Sequence, residues 1–118
     1  MSKKETLHIY TRVSTSGQVG NTSIDEQLDN GKSVSKNYDL DIKHWNEGQG
    51  SGFEDFSEFR PVFSQLLEDI KNENIKHLFV KDLSRLTRNQ MDSFKIQSIL
   101  LTNKVTLYTE NGKFDLSF

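Results

Sequence analysis

The chain has 118 residues, 33% hydrophobic and 27% charged, with no cysteine. That composition fits one soluble globular domain with a single core and excludes disulfides and thiolate metal sites. No apolar run approaches the ~20 residues that span a bilayer, and the charged start Met1-Ser2-Lys3-Lys4-Glu5 is unlike a secretory signal, so a cytoplasmic protein with no membrane partner is expected. The net charge of −2 argues against strong duplex binding by this chain alone, because such binding draws on a basic surface.

Residues 6–13 (TLHIYTRV) read as a strand, on β-branched and apolar residues, and residues 14–22 as a polar loop. Ser23-Ile24-Asp25-Glu26 has the form of a capping box. Ile24, Leu28, Gly31, Val34 and Tyr38 follow at helical spacing, which predicts a helix over 23–38. A short strand is expected over 40–45. Residues 47–56 (EGQGSGFEDF) read as a loop, since their glycines favour neither helix nor strand. Pro61 suits a first helical position, and Phe59, Val62, Phe63, Leu66, Leu67 and Ile70 carry a helix to about residue 74. A strand over 76–82, a helix over 90–102 and a strand over 105–109 complete the order. Such β-α alternation predicts an α/β fold of three layers: a mostly parallel sheet of four or five strands with helices on both faces. Ligands of such sheets bind beyond the carboxyl ends of the strands, which singles out residues 12–18, 47–52 and 82–88.

Chemistry concentrates in those same segments. Arg12 and Ser14 stand two apart at a strand end, so alternation puts them on one face. A guanidinium there stabilises an alkoxide or a phosphate, although it cannot take the hydroxyl proton. Arg85 and Arg88, three apart, share a face if their turn is helical. Arg60 precedes a helix N-terminus, itself attractive to anions. Taken singly, each arginine reads as a solvated surface residue and Arg12–Ser14 as an ordinary hydroxyl-rich turn. Together they form a candidate phosphodiester site.

The ordered set is more specific than any member. Y-x-R-V-S-T at Tyr10 to Thr15, Gln18, S-I-x-x-Q at Ser23 to Gln27, the glycine-rich loop, Arg60-Pro61 and L-S-R-L-T-R at Leu83 to Arg88 resemble the serine site-specific recombinases, a family of resolvases, invertases and large integrases. The resemblance runs from about Leu7 to Gly112. It implies that Ser14 is the nucleophile, with Arg12, Arg60, Arg85 and Arg88 as catalytic arginines and Gln18 and Gln27 as supports of the nucleophile loop. Glu47 stands where many members have Asp, and Ser84 replaces the Asp that precedes the paired arginines in small resolvases. Both departures leave the acid–base roles open.

The resemblance further implies DNA recombination through a 5′-phosphoserine intermediate, without ATP, cofactor or metal. Double-stranded DNA is the expected substrate, and further copies of the full-length protein, from dimer to tetramer, are the expected partners. Residues 1–118 would then be the catalytic domain of a longer chain, lacking the long dimer helix and DNA-binding region of the family, and inactive or weakly active alone. Two rival readings remain: a recombinase-like binding or regulatory module that no longer cuts, and an unrelated phosphate-binding α/β domain. Gly31-Lys32-Ser33 resembles the end of a P-loop but lies within the expected helix. His8, His44 and His77 are scattered and read as core or surface residues. The hydrolase G-x-S-x-G elbow is absent around Ser14.

Overall fold

Alternation along the first strand, β1 (Thr6–Ser14), sends Leu7 and Ile9 to one face and His8 and Tyr10 to the other, and all four are buried. A strand buried on both faces needs a layer on each. The computed structural model, which describes residues 5–14, 23–50, 61–82 and 90–116, supplies those layers. After β1 come α1 (Ile24–Asn37), β2 (Asp41–Gly50), α2 (Pro61–Lys71), β3 (His77–Phe79), α3 (Gln90–Thr102), β4 (Thr106–Thr109) and β5 (Gly112–Phe114). The sheet order is β2-β1-β3-β4-β5, with the first four strands parallel and β5 antiparallel to β4. Leu28 and Val34 of α1 pack with Leu7, Ile9, Phe79 and Tyr108 on one face. Phe63, Leu66 and Ile70 of α2, with Ile96 and Leu100 of α3, pack with Tyr10, Trp45, Leu78 and Leu107 on the other. This is the expected three-layer α/β architecture, with five strands.

Ser23 caps α1 as its sequence indicates: its hydroxyl accepts from the Glu26 N–H at 3.1 Å, and the Glu26 carboxylate accepts from the Ser23 N–H. Several boundaries differ from expectation. β2 runs on through Gly50, into the expected glycine loop, because each of its residues from 48 to 50 pairs with one from 12 to 14 of β1. Pairing with a neighbour outweighs the poor strand preference of glycine. β3 spans only three residues rather than the expected 76–82, that being the stretch paired to β1 on one side and β4 on the other. The second helix stops at Lys71, short of residue 74, in a left-handed turn at Glu73.

That ending recurs. Asp39, Glu73 and Lys104 have φ of 57°, 63° and 59°. Beside them, Leu40 N donates to Ser35 O, Asn74 N to Asp69 O and Val105 N to Leu100 O, at 2.8, 2.9 and 2.8 Å. These are Schellman endings built without glycine, and each hands the chain directly to the next strand. β5 follows a tight two-residue turn, Glu110-Asn111, and opens at Gly112, where φ of 100° suits glycine.

Gly31 serves packing. A Cβ built there would sit 2.7 Å from Ile9 Cδ1 and 2.9 Å from Ile9 Cγ1, so the missing side chain lets α1 lie against β1. Its place inside α1 also removes any resemblance to a P-loop. Each of the three histidines has a hydrogen-bonding partner within the fold. His77 Nδ1 lies 2.9 Å from the Tyr108 hydroxyl and its Nε2 pairs with Glu5, while Thr11 Oγ1 lies 2.8 Å from His44 Nε2. His8 Nδ1 accepts from the Trp45 indole at 3.0 Å, and Lys43 Nζ stands 4.7 Å over that indole ring.

Gly31→Ala adds helix propensity worth ~1 kcal/mol, yet it forces a methyl into the fully buried Ile9. Overpacking costs about 1–3 kcal/mol, so chemical denaturation should show a net loss; a gain would mean that α1 has slack to move.

Burial first, and Lys43 second, push the His8 pKa down; burial and then Lys32 do the same for His44. A base with a depressed folded pKa takes its proton more readily when unfolded. Stability is therefore flat above the unfolded value of about 6.5 and falls as pH drops below it. Urea midpoints read from Trp45, the single tryptophan, should decline between about pH 7.5 and pH 5.5. His8→Gln retains an acceptor for the indole without titrating, and should remove part of that decline.

Candidate active site

The carboxyl ends of β1, β2 and β3 lie at one edge of the sheet, as parallel pairing requires. Ser14 is the last residue of β1 and pairs with Gly50, the last of β2. On the opposite side β3 pairs no further than Ile9, so among the described residues no strand flanks the last residues of β1 there. Gln27 takes that place. Its side chain is fully buried, its Oε1 accepts from the Arg12 N–H at 3.2 Å, and its Nε2 donates to the Arg12 carbonyl at 3.0 Å. A primary amide offers the same donor and acceptor as a peptide group, so one side chain does the work of a short strand. The cap at Ser23 starts the helix so that Gln27 falls one turn in, level with Arg12. Arg12 itself is buried, with 7% of its surface exposed.

Between Thr11 and Arg12 the register slips. Thr11 pairs with Asn46 and Arg12 with Gly48, so Glu47 is the extra residue of a bulge in β2. Its carboxylate gathers three donors. Oε1 accepts from the Tyr10 hydroxyl at 2.9 Å and the Phe63 N–H at 2.8 Å, and Oε2 accepts from the Val62 N–H at 3.2 Å. The first N–H groups of a helix have no partner within it, and its positive end favours an anion. Glu47 therefore fixes the start of α2 against the sheet, reinforced by Tyr10 and Phe63, whose rings meet at 5.3 Å.

Lys81 and Asp82 follow β3 at the same edge. The Lys81 ammonium lies 2.5 Å from Glu110 Oε1 and 3.3 Å from Asn30 Oδ1. Of the residues singled out in the sequence, Arg12, Gln27 and Glu47 thus come together around the end of β1, with the backbone of Ser14 beside them. Gln18, Arg60, Ser84, Arg85 and Arg88 lie outside the described residues. Their flanks are fixed: Arg60 adjoins Pro61 at the start of α2, and 84–88 lie between Asp82 and the start of α3. Sequence reasoning missed three supports, Tyr10, Asn30 and Lys81. Tyr10 stands inside a motif already noted and Lys81 two residues ahead of another, while Asn30 carries no signal of its own.

The family model of the resolvase N-terminal domain matches residues 7–117. The chain belongs to that family, the catalytic domains of serine recombinases. A resolvase-family site-specific recombinase from Streptococcus pneumoniae is 31% identical, with a TM-score of 0.74 over 92% of this chain and 74% of that one. The N-terminal catalytic domain of TP901-1 integrase is 28% identical, with a TM-score of 0.72 over 91% of this chain and 78% of that one. A serine recombinase from Sulfolobus solfataricus, 20% identical, shares the fold at a TM-score of 0.62 over 96% of this chain and 72% of that one. No curated protein sequence matches the chain significantly. Among the described residues no helix is long and apolar enough to cross a membrane.

In this resolvase-family domain the amide of Gln27 is the test of how the end of β1 is held. Gln27→Leu keeps the bulk but strands the Arg12 N–H and carbonyl. An unsatisfied buried group costs about 1–3 kcal/mol, so a loss of at least about 2 kcal/mol is expected in denaturant titrations, with faster exchange of the Arg12 amide. Unchanged stability would show that water or another group replaces the amide.

Proposed function

We propose that this domain performs the cleavage and rejoining steps of site-specific DNA recombination. In this reading the Ser14 hydroxyl attacks a scissile phosphate, forming a 5′-phosphoserine bond and releasing a deoxyribose 3′-hydroxyl. The same bond is reversed when a new 3′-hydroxyl attacks, and the ester is conserved, so no ATP is consumed. Arg12, Arg60, Arg85 and Arg88 stabilise charge on the phosphate as its geometry changes, the task that metal ions perform in many nucleases. Gln27 holds the strand that presents Ser14, with Gln18 assisting from the segment that follows it in sequence. Glu47 steadies the helix that follows Arg60, and Ser84 sits beside Arg85.

The observation that carries this reading is the hold on β1. In a chain of the resolvase family, two hydrogen bonds from one buried amide fix the backbone two residues before Ser14. A nucleophile gains rate from being held near its target, and a strand end fixed by its own helix offers such a hold. An acidic domain supplies little of the counterion release that drives duplex binding. Affinity for double-stranded DNA would therefore come mainly from outside this domain, in an assembly of two to four subunits.

Ser14→Ala should fold with unchanged stability and yield no protein–DNA adduct on denaturing gels with end-labelled substrate, where the unsubstituted full-length protein yields one. An adduct from Ser14→Ala in normal amount would remove Ser14 from the role.

A further inference from the structure

We propose that Lys81 is a positioning residue: together with Asn30 and Glu110 it ties the end of β3 to α1, the helix that already holds the end of β1. Gln27 and Asn30 stand three residues apart on α1 and so share a face. Gln27 takes both backbone groups of Arg12, and Asn30 Oδ1 accepts from the Lys81 ammonium at 3.3 Å. One helix face therefore reaches both strand ends from which the proposed reacting residues extend, toward Ser14 in one case and toward Arg85 in the other.

Lys81 is held from a second direction too. Its ammonium lies 2.5 Å from Glu110 Oε1, and its carbonyl accepts from the Glu110 N–H at 3.3 Å. Glu110 lies in the turn between β4 and β5, so three separate elements meet on one side chain. An ammonium suits this role because its three donors serve acceptors on different elements at once.

A lysine at the substrate edge of such a sheet would ordinarily be assigned to a DNA phosphate. Here the charge is paired with Glu110, and only 17% of the side chain is exposed. The link sets the spacing of the two strand ends, and a small misplacement of reacting groups is costly in rate. Its effect on rate rests on the recombinase reading; its mechanical effect does not.

The test is residue-resolved hydrogen exchange on the unsubstituted, Lys81→Met and Lys81→Arg proteins, beside single-turnover adduct formation and DNA affinity in the full chain. Lys81→Met should speed exchange at the Arg12 amide, on the neighbouring strand, by about tenfold through local opening. It should slow adduct formation by about tenfold or more through misplacement, while the DNA Kd stays within about twofold because no phosphate contact is lost. Lys81→Arg should recover most of both effects. Asn30→Ala, which cuts the same link from the helix side, should speed Arg12 exchange in the same way and stands in if Lys81→Met does not fold.

Arg12 exchange that ignores both Lys81→Met and Asn30→Ala overturns the link whatever the activity. A fall in DNA affinity that accounts for the lost rate overturns it in favour of a phosphate contact. Should the unsubstituted protein form no adduct while Arg12 exchange still responds, the recombinase reading fails and the mechanical link stands.

Discussion

The pair of hydrogen bonds between the Gln27 amide and the Arg12 backbone is the contact around which the rest of the substrate edge is arranged. β1 is flanked by β2 along its whole length, but by β3 only as far as Ile9. Gln27 meets the Arg12 N–H and carbonyl on that side, where a buried peptide group left unmet costs about as much as a lost hydrogen bond. With Gln27 there, the strand stays extended to Ser14. The arrangement explains why a helix that is polar over most of its length keeps one amide in full burial.

That contact depends in turn on how near α1 lies to the sheet. A glutamine side chain is short, and its amide reaches a strand backbone only if the helix axis is drawn in. Gly31, one turn further along α1, provides the closeness by leaving its Cβ position to Ile9. The same closeness serves Asn30. On the other face, the bulge at Glu47 does the corresponding job for α2, turning a carboxylate out of the ladder so that it meets the helix start. One helix is placed by an absent side chain and the other by an extra residue.

Much of this was legible in the sequence. The capping box at Ser23, the proline opening α2 and the apolar stripe from Val62 to Ile70 are local signals, and local signals gave helices close to their observed limits. What was misplaced depends on partners distant in the chain. Gly48 and Gly50 look like loop until β1 lies beside them. The expected strand over 76–82 contracts because only its middle finds partners on both sides. Helix ends at Asp39, Glu73 and Lys104 carry no glycine to announce them, and the short strand after the Glu110-Asn111 turn pairs only with β4. At the site, family resemblance picked out Gln27 and Glu47 by position, but the reason for each emerges only from geometry. An amide that imitates a strand and a carboxylate that caps a neighbouring helix both act at long range, on residues 15 or 16 positions away.

The placement of β1 in the interior of the sheet also bears on how the chain folds. β1 precedes the other described strands, and its neighbours arrive later: β2 after about thirty-five residues and β3 after about seventy, the latter spacing bridged by Glu5 and His77, 72 positions apart. Loop closure over such distances is slow compared with forming a helix or a hairpin. A nascent chain must therefore carry Leu7, Ile9 and Tyr10 without their final cover until β3 has been synthesised. During that interval α1, which follows at once in sequence and binds β1 through its own side chains, is the nearest available shield. Among the described elements, the contact that holds the strand end in the finished molecule is thus also one of the earliest that the order of synthesis allows.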